Sequence, residues 1–141
     1  MVPISFMKEV VSAIFINKKE EILILKRSPH KKHYPNLWDT MVGRKEENET
    51  IVEALHREIK EELGIEDFSI IKQSKTELYT EGDHQWNVTI FLCQMEKEGI
   101  TLNDEHTKYK WLSLDKIKDE NCSEPFLKDL RIMFKNGFSA E

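Results

Sequence analysis

Glu58, Glu61 and Glu62 stand at positions i, i+3 and i+4, so on a helix of 3.6 residues per turn they share a sector roughly 100° wide. Clustered carboxylates supply the hard oxygen ligands that Mg²⁺ requires, and Mg²⁺ held in this way commonly reaches the phosphates of a substrate. The ordinary alternative for a charge run is a solvated acidic face. Helix energetics do not favour the arrangement, because each like-charge pair costs about 0.2–0.5 kcal/mol and anions in a last helical turn cost about 0.3–1 kcal/mol. Position separates the two readings: the three carboxylates border Ile51 and Leu55 and do not lie opposite them.

The element that must carry them is punctuated at both ends. Thr50 and Glu53 form a capping-box pair, Ile51, Val52, Leu55, Ile59 and Leu63 fill the core side, and Gly64 is a natural terminator. The spacing predicts a helix over 51–63. Before it, β-branched and aromatic runs at 8–16 and 21–26 flank a polar turn and read as a hairpin. Residues 28–36, with Pro29 and Pro35, read as a loop, 37–42 as a short strand, and 43–49 as a tight polar turn. After it, 68–80, 85–94 and 109–112 read as strands, 113–117 as a turn or short helix, and 125–135 as a closing amphipathic helix. Phe6, Ile24 and the segment Phe126 to Phe134 are expected in the core. Strands on both sides of a central helix indicate an α/β fold, a mixed sheet with helices on its faces, in one domain spanning 1–141.

Composition narrows the chemistry. The 141 residues hold 21 Lys+Arg against 26 Asp+Glu, a net charge of −5, with no basic stripe of the kind that neutralises nucleic-acid phosphates. Stable nucleic-acid binding is not expected. No apolar run approaches the roughly 18–20 residues that cross a bilayer, and Met1-Val2-Pro3-Ile4-Ser5 does not resemble a signal peptide. Cys93 and Cys122 form no CxxC pair or disulfide framework, so a cytoplasmic location is expected. An acidic chain that handles phosphates needs a cation.

Gly43, five residues, Glu49, seven residues, then Arg57-Glu58-Ile59-Lys60-Glu61-Glu62-Leu63-Gly64-Ile65 resembles the Nudix box of the MutT-like hydrolases at all nine specified positions between 43 and 65. Leu37-Trp38-Asp39 before the box and Trp111-Leu112-Ser113-Leu114 after it resemble the family's flanks. The resemblance implies an α/β/α sandwich around a mixed sheet. It also implies hydrolysis of a nucleoside diphosphate linked to a further group, with Mg²⁺ or Mn²⁺. Carried over by position, Glu58 and Glu62 are the principal metal ligands, Glu61 is a further ligand or a base for the attacking water, and the Gly43 carbonyl joins the metal site. Arg57 and Glu49 form an ion pair that orients the helix. Some members add a glutamate from a later loop, and Glu105, six residues before Trp111, is the candidate here. Where many members carry glycine this chain has Asn48, a residue that tolerates left-handed backbone angles, and Val42 precedes Gly43.

The expected activity is that of a small MutT-like enzyme converting a nucleoside triphosphate, ordinary or damaged, to monophosphate and pyrophosphate. Two alternatives stand beside it. The segment from Arg27 to Asp39 resembles the corresponding part of isopentenyl-diphosphate isomerases, although Met41 and Val42 occupy the stretch where those enzymes carry a catalytic cysteine. A nucleotide-binding regulator without catalysis is the other. Arg27, Tyr34, Trp38 and Trp86 are candidate substrate contacts, with packing the competing role for the aromatics. His56 is expected at the surface, His33, His84 and His106 either contact phosphate or are solvated, with solvation favoured, and the protein is expected to be a monomer or homodimer with a small-molecule nucleotide or other diphosphate as its partner.

Overall fold

The computed structural model describes residues 8–135, so Phe6 lies outside the described residues. The elements in chain order are β1 (Lys8–Phe15), β2 (Glu21–Arg27), β3 (Trp38–Asp39), β4 (Met41–Arg44), α1 (Ile51–Leu63), β5 (Phe68–Gln73), β6 (Glu77–Glu81), β7 (His84–Met95), β8 (His106–Ser113), α2 (Leu114–Ile117) and α3 (Glu124–Met133). They build two sheets. In the larger, β1 pairs antiparallel with β4 and parallel with β7, and β5 and β6 pair antiparallel with successive parts of β7. The smaller is antiparallel, in the order β3-β2-β8.

Strand alternation divides the core in two. Val11, Ala13 and Phe15 of β1 pack with Leu23, Leu25 and the α1 residues Leu55, Ile59 and Leu63. Ile14 faces the other way, joining Ile22, Ile24 and the α3 residues Phe126, Leu130 and Met133. Both faces of these strands are covered, which is why they read as unbroken apolar runs and not as alternating ones. Each fully buried Leu, Ile or Phe in these layers contributes about 1.5–3 kcal/mol.

One expected hairpin and two expected strands are arranged differently. The hairpin expected at 8–26 forms only at its turn: β1 and β2 meet at one bridge, Ile16 to Ile22, and then enter different sheets. Both edges of β1 are already taken, by β4 and by an eight-residue parallel ladder with β7, so none is left for β2. The expected strand at 37–42 splits at Thr40, which carries the chain from the small sheet to the large one and donates its hydroxyl to the Ala13 carbonyl at 2.5 Å. The expected strand at 68–80 breaks after Gln73, where Ser74 takes over part of the ladder. Its N–H donates to the Ile90 carbonyl at 2.8 Å and its hydroxyl accepts from the Ile90 N–H at 2.9 Å.

The central helix occupies 51–63 as its punctuation predicts. Thr50 accepts from the Glu53 N–H at 3.1 Å, Glu53 accepts in return from the Thr50 N–H at 2.8 Å, and Gly64 closes the helix at φ 69°. Its inward face is rotated from expectation. Val52 is 41% exposed, while Ala54, Leu55, Ile59, Glu62 and Leu63 are buried. Glu62 falls on the wheel between Ile51 and Leu55, so it lies within the buried face and not on its border. The closing helix is shorter than expected, and Phe134 packs against the α3 core from just beyond it.

Candidate active site

The site is assembled where β4, α1 and the loop before β8 meet. β4 sets Gly43 beside Val11 at the edge of the large sheet, and α1 lays Glu58 directly over it. A Cβ on Gly43 would overlap Glu58 Cγ, Cδ and Oε2, so this glycine is required by close approach. Asn48 takes the left-handed angle in the intervening loop, at φ 67°.

Arg57 ties the loop, the strand end and the helix together. Its Nε and Nη2 donate to Glu49 at 3.1 and 2.7 Å, Nη2 also donates to the Arg44 carbonyl at 2.9 Å, and Nη1 donates to Glu58 at 2.8 Å and Glu61 at 3.3 Å. Hydrogen bonding from Arg57, followed by the Glu46 N–H, pulls the Glu49 carboxyl down to about 2. Hydrogen bonding to Glu49, then to Glu58, outweighs burial and holds the guanidinium charged.

The carboxylates differ in environment. Glu61 is exposed, Glu58 is half-buried, and Glu62 is 2% exposed with no hydrogen-bond partner for Oε2. Burial is the main cause that lifts the Glu62 carboxyl well above the ordinary range, followed by hydrogen bonding to Glu58 and the charges of Glu105 and Glu58. Glu105 lies in the loop ahead of β8. Its N–H donates to Asn103 at 3.0 Å and its carboxylate accepts from Lys31 at 2.8 Å. Burial pushes Glu105 up, but Lys31, with help from the Asn103 contact, outweighs it and leaves the carboxyl below its usual value.

His106 is a correction. Expected at the surface, it is 5% exposed, with its Nδ1 4.0 Å from Glu62 Oε1 and neither ring nitrogen hydrogen-bonded. Burial drives its pKa down to about 4, against the charge of Glu105. The imidazole is neutral and Glu62 resists ionisation, so the two are neighbours without forming an ion pair. No sequence signal marks this, because the bulge at Lys26 and Arg27 shifts the register where His106 pairs. His33 and His84 are exposed as expected, and His56, also exposed, stacks on Phe68 with ring centroids 4.6 Å apart.

Among the described residues no three His, Cys, Asp or Glu side chains already converge as a closed metal cage. The donor set nevertheless fits a hard divalent cation. Glu62 and Glu58 press against each other with Glu105 adding charge, and only a cation lets such a group ionise together without mutual repulsion.

The candidate substrate contacts divide. Tyr34 and Trp86 line one cleft of about 200 Å³ with Tyr79, Lys128 and Arg131. The Tyr34 hydroxyl binds Glu81, and burial, then that contact, raises its pKa to about 12. Trp38 is buried beneath Lys110, whose Nζ is 4.7 Å from its ring centroid, and serves as packing. Arg27 stands between the two regions: it donates to the His33 carbonyl at 2.9 Å, pairs with buried Asp39 at 3.4 Å, and its charge is felt at His106. Lys31 and Asp39, not singled out in the sequence, belong to this stretch. A larger groove of about 690 Å³, near Tyr109 and Trp111, sits at the Glu21 end of β2. It lies about 20 Å along the strand from Arg27 and holds none of these carboxylates.

A loop–helix unit with a glycine under the first carboxylate and an arginine clamp across it, on this pair of sheets, defines a Nudix hydrolase. Residues 7–130 match the NUDIX domain, and the chain belongs to that family. It is 30% identical over 115 residues to the nucleoside triphosphatase NudI of Klebsiella pneumoniae, covering 74% of this chain and 81% of that protein. It is 43% identical over 56 residues to the mouse 8-oxo-dGDP phosphatase NUDT18, covering 40% of this chain but only 17% of that protein's length. Among solved structures, the MutT protein of Methanosarcina mazei superposes with a TM-score of 0.75 at 25% identity, covering 87% of this chain and 88% of that one. Among the described residues no helix is long and apolar enough to cross a membrane.

Proposed function

We propose that this protein hydrolyses the pyrophosphate linkage of a nucleoside triphosphate, releasing the monophosphate and pyrophosphate, with Mg²⁺ or, alternatively, Mn²⁺ as cofactor. The observation that carries this reading is Glu62, a carboxylate buried against Glu58 with an oxygen that has no partner. The similarity to NudI, which spans most of both chains, favours a triphosphate, whereas the likeness to the 8-oxo-dGDP phosphatase is confined to a short part of it.

Glu58, Glu62, Glu61 and the Gly43 carbonyl would hold the cation. When bound, Mg²⁺ withdraws charge from the pyrophosphate oxygens and lowers the pKa of a water. Glu105, half-buried beside Glu62 and paired with Lys31, is one group placed to take the proton of the attacking water, and Glu61, exposed and shared with Arg57, is the other. The water oxygen bonds to phosphorus, the anhydride P–O bond between the α and β phosphates breaks, and its electron pair leaves with pyrophosphate when the α phosphorus is attacked or with the monophosphate when the β phosphorus is. Arg27 and Lys31 offer positive charge to the phosphate chain, and Tyr34 and Trp86 offer ring faces to the base. Arg57 and Glu49 act by positioning α1.

Isomerase chemistry finds no support in the placement of the cysteines. Cys93 is buried in the α1 core and Cys122 lies beside Trp38. The test is a panel of nucleotides assayed with Mg²⁺ for phosphate release, with and without added pyrophosphatase. Turnover of a triphosphate that yields phosphate only with the pyrophosphatase present, and is lost in Glu62→Gln, is the expected result. Tight nucleotide binding without turnover across metals and pH would establish a regulator instead.

A further inference from the structure

The buried imidazole of His106 has no role in the reading above, yet it is the least explained group in the site. Both of its nitrogens and Glu62 Oε2 lack partners, and His106 Nδ1 stands 4.0 Å from Glu62 Oε1 with both residues all but excluded from solvent. Buried polar groups are paired in the great majority of cases. Three unpaired atoms on two adjacent side chains therefore mark a place where a further interaction is made in the working state.

We propose that His106 is a positioning residue for Glu62: its Nδ1–H donates to the Glu62 carboxylate once that carboxylate turns to bind a divalent cation. The inference rests on the metal role given to Glu62 under the proposed function. Its physical basis is a shortage of donors. An ionised carboxylate that gives one oxygen to a cation still needs hydrogen bonds for its remaining lone pairs. At 2% exposure Glu62 cannot obtain them from bulk water. Arg57, the nearby multivalent donor, is committed to Glu49, Glu58, Glu61 and the Arg44 carbonyl, and Lys31 is committed to Glu105. A neutral imidazole carries one N–H and one acceptor nitrogen. The 4.0 Å separation closes to hydrogen-bond length with a movement of about 1 Å, which a side-chain torsion supplies. A donor in this position fixes the carboxylate's orientation, as groups behind metal ligands commonly do.

The experiment measures Mn²⁺ binding by electron paramagnetic resonance on substrate-free protein, for wild type, His106→Leu, His106→Asn, His106→Gln and Glu62→Gln. The imidazole tautomer is read by ¹⁵N chemical shifts with and without Mg²⁺. His106→Leu is expected to weaken Mn²⁺ by about 10-fold or more, and at least one of the amide variants, which keep an N–H donor, to recover most of that loss. The ring is expected in the Nδ1–H form, with its ¹⁵N shifts responding to Mg²⁺. Unchanged Mn²⁺ affinity in His106→Leu, equal loss in the leucine and both amide variants, or an Nε2–H tautomer in the Mg²⁺-loaded protein would overturn the proposal. If the leucine variant does not fold, the amide variants and the tautomer decide it. Wild-type protein that binds no Mn²⁺ would instead refute the metal reading itself, a result distinct from Mn²⁺ binding that ignores position 106.

Discussion

Glu58 passes directly over Gly43, so closely that a single added methyl would overlap Glu58 Cγ, Cδ and Oε2. Among the described residues the glycines at positive φ are Gly64, Gly82 and Gly99. Gly43 is therefore held by contact with a carboxylate and not by backbone freedom. Gly43→Ala should fold, lose about 1–3 kcal/mol from the overlap, and displace Glu58. A 1 Å displacement of a reacting group can cost about 100-fold, so kcat/KM should fall at least about 10-fold in a steady-state assay. Wild-type kcat/KM in a folded alanine variant would contradict this.

Arg57→Lys keeps the charge but loses the planar fork that reaches Glu49, Glu58 and the Arg44 carbonyl together. The Glu49 carboxyl, held at about 2 chiefly by Arg57 hydrogen bonds, should titrate nearer its ordinary value when followed by ¹³C NMR. Because the native value is depressed, this interaction is fully present above the ordinary carboxylate range and is lost as pH falls through about 2. Activity should drop about 10-fold or more while far-UV circular dichroism stays unchanged. An unmoved Glu49 titration would show that Arg57 is not its anchor.

Glu62 is raised by burial first, then by Glu58 and the charge of Glu105. The stability linked to its neutral form is complete below the ordinary glutamate pKa and is lost as pH rises through the elevated native value. Metal-free protein should therefore melt at progressively lower temperature as pH rises above the ordinary glutamate range. Mg²⁺ should raise Tm most in that range, and Glu62→Gln should flatten both responses. Scanning fluorimetry in EDTA and in Mg²⁺ measures this, and a Glu62→Gln variant with the wild-type Mg²⁺ response would rule it out.

Asp129 presents a second buried carboxyl, on α3. It accepts from the Ser12 hydroxyl at 2.5 Å and from the Tyr79 hydroxyl, yet burial outweighs those contacts and raises it from 3.8 to about 7. The sign is that of a raised acid: its stabilising effect is full below about 4 and is lost as pH climbs to about 7. The slope is at most about 1.4 kcal/mol per pH unit. In urea titrations at pH 5 and pH 8 the stability of Asp129→Asn relative to wild type should increase at the higher pH. A pH-independent difference would refute it.

Trp86→Ala should raise KM for the nucleotide with kcat changed little, because Trp86 and Tyr34 line the cleft away from the carboxylates. Loss of a stacked ring is worth about 1–3 kcal/mol, which is roughly 5- to 150-fold in KM. An equal fall in kcat at unchanged KM would place the base elsewhere.

Much of this site could be read from local sequence. The limits of α1 follow from Thr50, Glu53 and Gly64, whose hydrogen bonds and backbone angle depend only on near neighbours, and the Glu49 to Arg57 pair spans only the start of that helix. The rotation of α1 could not be read this way. Val52 looks like core by pattern but is exposed, and Glu62 looks like an edge residue but is buried, because the inward side is chosen by the sheet beneath the helix. Strand partners were hidden for a similar reason: β1 and β2 are neighbours in sequence, yet β1 spends both edges on strands farther along the chain.

The sequence alone determined the three carboxylates, their helical spacing and the turns that flank them, since these depend on contacts within a few residues. Only the tertiary structure decided their environments. It placed Glu58 against Gly43, buried Glu62 beside His106, and joined Lys31 to Glu105 across 74 positions. Solvation and charge depend on what packs nearby in space, and that proximity is set by how two sheets close over one helix.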